Sequence, residues 1–332
     1  MPRWSTLLLD DAKLAEMPRL PLDDVLRHAD LVTEQQPHPQ ALYERWEKQQ
    51  WSAQAIELEP DREDFDKRLP RSARKAIEES IATFIIGEYT GLDLLGPILT
   101  GAPEERDHLY LGTQIADETR HTQLMLRLGE ELLGLDPDPK RMLVQAWNMV
   151  TPPHRDLSRL ETEVIRELQE HPSDYRRWLR AVALFHLITE GVLALVGQRA
   201  IVNSLHGVPL LAGVKAGFTA MARDESRHVS FGLHALRIGI KEGYGDDIRE
   251  VIEQAAPIAL NIEEGGQVDD APQGLTMKQL GIESLYRQLR LIGIERQFAD
   301  HVVALSMPTP AATEDAGNAE AAENAENTAS HS

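Results

Sequence analysis

Four long stretches of this 332-residue chain repeat apolar residues at steps of three and four, and each carries a glutamate near its middle. A lone carboxylate inside an apolar helical run is the position where glutamate is least expected. The first stretch, 71–99, sets Ile77, Ile81, Phe84, Ile85, Tyr89, Leu92 and Leu95 on the helical period around Glu88. The second, 104–133, holds Glu118 in ADETRHTQLM, and the third, 174–206, holds Glu190 in ALFHLITEGVLALVG. The fourth, 210–241, holds Glu225 in RDESRHVSFG. Pro103, Gly134, Gly207 and Gly243 punctuate the ends as helix starts and stops require. Sustained apolar–polar alternation, the strand signal, is nearly absent. The pattern predicts an all-α chain, with two antiparallel helix pairs joined by a longer crossover at 134–173.

DETRH at Asp117–His121 and DESRH at Asp224–His228 are near repeats. Glu and His three residues apart share one helix face. Chance alone gives about one Glu-x-x-His in a chain with this many glutamates and 12 histidines, so spacing by itself carries little weight. Glu105–His108, set among charges in PEERDH, reads as a solvated face. The other two pairs lie mid-helix among apolar residues, where burying charge is costly unless something compensates it.

With Glu88 and Glu190, the four helices supply Glu, Glu-x-x-His, Glu, Glu-x-x-His in order. This is the known ligand set of ferritin-like di-iron and di-manganese carboxylate proteins. The fold expected is therefore a ferritin-like four-helix bundle with additional flanking helices. Four carboxylates balance two divalent cations. Without metal they would repel and take up protons. Oxygen-rich ligation with two nitrogens and no sulfur suits iron or manganese. Glu88, Glu118, His121, Glu190, Glu225 and His228 are thus the candidate metal ligands, and the four glutamates the candidate catalytic groups. Ligand histidines commonly donate their second N–H to an outer carboxylate. Asp224 is expected to hold His121, and Asp117 to hold His228.

Around this body, 1–70 reads as an extension of short helices and loops packing on the bundle. Residues 71–306 form the dimetal domain, and the Ala-, Glu- and Asn-rich 307–332 reads as a disordered tail. Helices are expected in 140–170, 246–264 and 276–305. The formal charge of −20 disfavours nucleic acid and anionic membranes as partners. The absence of cysteine excludes disulfides and thiolate sites. The N-terminus lacks a signal-peptide pattern, and no uninterrupted apolar run of about 20 residues predicts a membrane span, so a cytoplasmic protein is expected.

The stretches FIIGEYTG, ADETRHTQLM, ITEGVLALVG and RDESRHVSFG, with WSAQAIELEPDREDF upstream, resemble the ribonucleotide reductase small-subunit superfamily over about residues 51–265. Within it the chain is most similar to the R2-like ligand-binding oxidases. That resemblance implies the same six ligands, a Mn/Fe or Fe/Fe centre, O₂ activation, a homodimer, and an organic, lipid-like or fatty-acid-like ligand in an apolar tunnel. Phe84, Tyr89, Leu92, Phe185, Leu187 and Val229 are candidate walls of that pocket.

Three positions depart from the superfamily's patterns. Met125 stands where reductase subunits carry a radical tyrosine, and no tyrosine follows Tyr286 to relay a radical. Gly91 and Phe185 replace the valine and tyrosine that the ligand-binding oxidases cross-link, and Gly91 is expected to open room beside the metals. Met221 replaces the extra histidine of arylamine N-oxygenases. A dimetal oxidase or oxygenase is the expected function. The alternatives are a reductase small subunit, an N-oxygenase-like enzyme and a non-catalytic ferritin-like metal protein.

Overall fold

The computed structural model describes residues 9–205, 207–262 and 276–307; the expected tail, apart from Met307, lies outside them. Twelve α-helices are named in chain order. The amino-terminal layer holds α1 (Leu22–Glu34), α2 (Pro39–Lys48) and α3 (Glu59–Lys67). The bundle consists of α4 (Arg71–Thr100), α5 (Glu105–Glu131), α8 (Tyr175–Ser204) and α9 (Ala212–Lys241). The crossover carries α6 (Pro139–Met149) and α7 (Pro152–Glu170). After the bundle come α10 (Gly245–Ala259), α11 (Met277–Ile292) and α12 (Arg296–Leu305). There is no strand among the described residues.

Packing follows the expected pairing: α4 runs along α5, and α8 along α9. The stretch 276–305 is two helices rather than one. Gly293 takes φ 90°, a left-handed conformation that ends α11 and that glycine adopts without steric cost. Asp174 caps α8, its carboxylate accepting from the amides of Arg176 and Arg177 at 3.0 and 3.3 Å.

Apolar residues collect in two cores at opposite ends of the bundle. One contains Leu95, Ile98, Tyr110, Phe185 and Phe231; the other contains Ile81, Phe84, Leu128, Phe218 and Met221. On α4, α5 and α9 the glutamate falls where the helix passes from one core to the other, and on α8 Glu190 is flanked by Ile188 and Val192 of the first core. α8 is long and apolar enough to cross a membrane by composition, yet most of it is buried inside the protein. It reads as apolar all round because neighbours cover it on nearly every side. Its middle, Ala183–Ala194, winds in wider i→i+5 turns, a rare geometry that often marks functional positions. Glu190 lies in this segment.

α9 begins at Ala212, after Leu211 in a left-handed conformation with φ 56°. Its first amides are capped from the amino-terminal layer. Asp61 accepts from Gly213 and Val214 at 3.0 and 2.6 Å, and Asp64 from Leu211 at 3.1 Å.

Candidate metal centre

Glu88, Glu118, His121, Glu190, Glu225 and His228 all turn into the layer between the two cores, and none is more than 4% exposed. They divide into two overlapping groups of four. Glu88, Glu118, His121 and Glu225 form one; Glu118, Glu190, Glu225 and His228 form the other; within each, one ligand atom per residue lies within 4.8 Å of the rest. Glu118 and Glu225 belong to both. Glu118 turns Oε2 toward His121 Nδ1 at 3.6 Å and Oε1 toward His228 Nδ1 at 3.1 Å. Glu225 does the same, with Oε1 at 3.6 Å and Oε2 at 3.2 Å. One oxygen facing each half is the geometry of a bridging carboxylate. Glu88 closes the His121 half at 3.4 Å, and Glu190 the His228 half at 3.4 Å.

Both imidazoles point Nδ1 at the carboxylates and Nε2 at an aspartate across the bundle. Asp224 lies 3.2 Å from His121 Nε2, and Asp117 lies 3.2 Å from His228 Nε2, the reciprocal pairing anticipated above. Each aspartate also accepts from an indole of the amino-terminal layer. Trp46 donates to Asp117 at 3.0 Å, and Trp51 to Asp224 at 2.7 Å. Between them the fully buried Arg227 guanidinium donates to Asp117 and Asp224, 2.7 Å each, and to Gln49. Arg120 also donates to Asp117. Two buried carboxylates therefore face cations, which a low-dielectric interior requires.

The electrostatics fit a pair of cations. Burial pushes the Glu88 carboxyl up to about 8, despite His121 beside it. Burial likewise drives Glu190 well above the usual carboxylate range. Burial would depress His121, but its hydrogen bond to Asp224 and the nearby carboxylates of Glu118 and Glu88 outweigh that and hold it well above an ordinary imidazole. His228 behaves alike, through Asp117, Glu118, Glu190 and Glu225. The metal-free cluster thus gathers protons where positive charge is lacking. Glu118 Oε1, Glu190 Oε2 and His121 Nδ1 are buried without a hydrogen-bond partner among the described residues. Buried donor and acceptor atoms left unpaired are costly and call for a ligand. The donor set fits two oxygen-preferring divalent ions.

Other expectations fare differently. Glu105 and His108 are exposed at the start of α5, away from the cluster. Of the pocket-wall residues, Phe84, Phe185, Leu187 and Val229 are buried, but Tyr89 is 44% exposed. One residue past Glu88, it is turned about 100° away around the helix and faces outward. The room at Gly91 is small. A Cβ there would sit in ordinary contact with the Phe185 ring at 3.4 Å and Glu118 Oε2 at 3.6 Å, so the space beside Gly91 is about that of one methyl group. Met125 and Met221 are fully buried in one apolar core. Sequence reasoning missed Trp46, Gln114 and Gln198, which bond to the cluster or its aspartates, and His186, which bonds to Gln114.

Fold and site together define a ferritin-like bundle built around a carboxylate–histidine cluster suited to two metal ions. The chain belongs to the ribonucleotide reductase small-chain family, whose description matches residues 29–284. Among solved structures it is similar to the R2-like ligand-binding oxidase of Sulfolobus acidocaldarius, with 21% identity, 80% of this chain and 93% of that chain covered, and a TM-score of 0.63. It is also similar to a variant R2-like ligand-binding oxidase with an anaerobically reconstituted Mn/Fe cofactor, at 19% identity, 78% and 93% coverage, and a TM-score of 0.67.

Proposed function

We propose that this protein is an O₂-dependent dimetal oxidase acting on an organic substrate, with a Mn/Fe or Fe/Fe pair as its cofactor. The observation that carries the reading is the pair of shared glutamates, each offering one oxygen to either half of the cluster. Glu118 and Glu225, each facing both halves, would hold both ions. Glu88 and His121 complete one half; Glu190 and His228 complete the other. When bound, such a pair supplies O₂ activation and the oxidising equivalents for a C–H or N–H bond.

The chain's own residues set the conditions. Asp224 and Asp117 fix each imidazole with Nδ1 inward. Arg227 and Arg120 together offset the charge of the two aspartates, and the two apolar cores exclude water from the layer between them. A water-poor site strengthens every charge interaction within it. Phe185 stands over Gly91 beside Glu118, so its ring bounds the substrate's approach from that side. Family membership does not impose radical delivery to a reductase, because Met125 fills the position of the radical tyrosine. Assembly as a homodimer belongs to the same proposal, and sedimentation velocity reads it directly.

The test is anaerobic reconstitution with Fe(II) alone or with Mn(II) plus Fe(II), followed by O₂ exposure. Consumption of O₂ together with metal oxidation is expected. A fully loaded protein that consumes no O₂ overturns the proposal. Analysis of co-purified small molecules by mass spectrometry identifies the substrate class.

A further inference from the structure

The two halves of the cluster are not equally supported. Behind Glu190 stands a buried polar chain that has no counterpart behind Glu88 among the described residues. Gln114 Nε2 donates to Glu190 Oε1 at 2.7 Å, and Gln114 Oε1 lies 3.1 Å from His186 Nε2. Gln114 and His186 are both fully buried. Because the amide nitrogen is committed to the carboxylate, the amide oxygen must accept, so His186 Nε2 carries the hydrogen. Burial, then the nearby charge of His228, pushes the His186 imidazole down to about 3, which keeps it neutral and in that donating role.

The chain of bonds therefore has one direction: His186 to Gln114 to Glu190. Glu190 Oε1 accepts from Gln114 and also lies 3.4 Å from His228 Nδ1, while Oε2 is buried with no hydrogen-bond partner among the described residues. The seat is specific. Gln114 lies one turn before Glu118 on α5, and His186 lies in the widened segment of α8 that carries Glu190. Gly232 of α9 lets the helix pass close to His186, since a Cβ there would fall 2.2 Å from the histidine's own Cβ.

We propose that Gln114 and His186 are a positioning pair that holds the Glu190 carboxylate against His228, so that the unshared glutamate of the His228 half is preorganised, whereas Glu88, its counterpart in the His121 half, has no such chain behind it. This rests on the dimetal reading. Neither residue contacts a metal; both act through Glu190. Gln198, which donates to Glu225 Oε1 at 3.2 Å, supports a shared glutamate instead, so the consequence of the Gln114–His186 chain is a difference in affinity between the two halves. Loss of an outer partner of this kind weakens metal binding about 10- to 100-fold.

The experiment is anaerobic titration of the full chain with Mn(II) alone. Elemental analysis counts the ions, and anomalous diffraction at the manganese edge locates them. Gln114→Met is expected to lose occupancy on the His228 side about 10- to 100-fold more readily, while the His121 side holds its wild-type affinity. His186→Leu should reproduce that loss. His186→Gln, which keeps a donor facing Gln114, should restore most of it. The His186 pair carries the comparison if Gln114→Met fails to fold by circular dichroism. Unchanged affinity in both halves, or equal loss in both, overturns the positioning role. A wild-type chain that binds neither Mn(II) nor, in a parallel anaerobic titration, Fe(II) sinks the dimetal reading as well, and so separates the two failures.

Discussion

At the residue scale the centre depends on groups that never touch a metal. Asp224 accepts at once from His121, Trp51 and Arg227, and those three bonds define where His121 points. The ordinary ionisation of Asp224 is opposed by burial but restored by Arg227 and His121, which together hold it well below the usual carboxylate range. Asp224→Ala is expected to weaken metal binding about 10- to 100-fold by freeing the imidazole. It is also expected to destabilise the fold by about 3–5 kcal/mol, because Arg227 is left buried with part of its countercharge gone. Metal titration and urea unfolding measure the two effects. The candidate ligands and both aspartates were legible in the sequence because charge in an apolar helical run is conspicuous. Gln114, His186 and the indoles were not, because amides, neutral histidine and tryptophan are unremarkable in a core. The bonds of Trp46 and Trp51 span 71 and 173 residues, beyond any local pattern.

At the element scale, helices announced themselves by period, while their special features did not. The widened turns of Ala183–Ala194 leave the apolar pattern of α8 intact, so nothing in the sequence betrays them. The cap of α9 comes from Asp61, about 150 positions upstream, and only the folded chain brings it there. α7 contributes a further hidden group. Its Glu161 is buried and accepts from Thr189 Oγ1 at 2.6 Å, within the segment that carries Glu190. Burial pushes this carboxyl up to about 7 from 4.5, although the Thr189 bond opposes the rise. The folded state therefore keeps a proton that the unfolded state has released. Stability tied to Glu161 is fully present below pH 4.5 and is lost as pH climbs through about 7. That loss is on the order of 3 kcal/mol. Glu161→Gln should flatten this decline, so its melting temperature should exceed wild type at pH 8 and match it near pH 4. Parallel thermal melts across that range provide the check, and identical pH profiles would refute the assignment.

At the scale of the whole molecule, the fold consists of two apolar cores separated by one charged layer. The bundle, its crossover and the placement of the layer were readable from four periodic runs. The closing amino-terminal layer was readable only as something that packs across the body. Its contribution to the centre, through Gln49, Trp46 and Trp51, required the tertiary structure. Metal should stabilise the molecule as one unit, because every bundle helix carries a candidate ligand and the cluster exists only in the folded form. An ion at 100 times its dissociation constant adds about 2.7 kcal/mol. Calorimetry is expected to show a melting temperature that rises with Mn(II) or Fe(II) and falls on chelation. A melt insensitive to metal would count against the shared cluster.

The two indoles have an optical consequence. Of the chain's five tryptophans, Trp46 and Trp51 are hydrogen-bonded to the aspartates behind the histidines, and the Trp51 ring stacks 6.2 Å from that of His121. The protein therefore carries native fluorophores wired to its centre. Paramagnetic Mn(II) should dim part of the intrinsic emission as it binds, and Trp51→Phe should remove much of that response. The filling of the site can then be watched in solution, without a label and before any reaction begins.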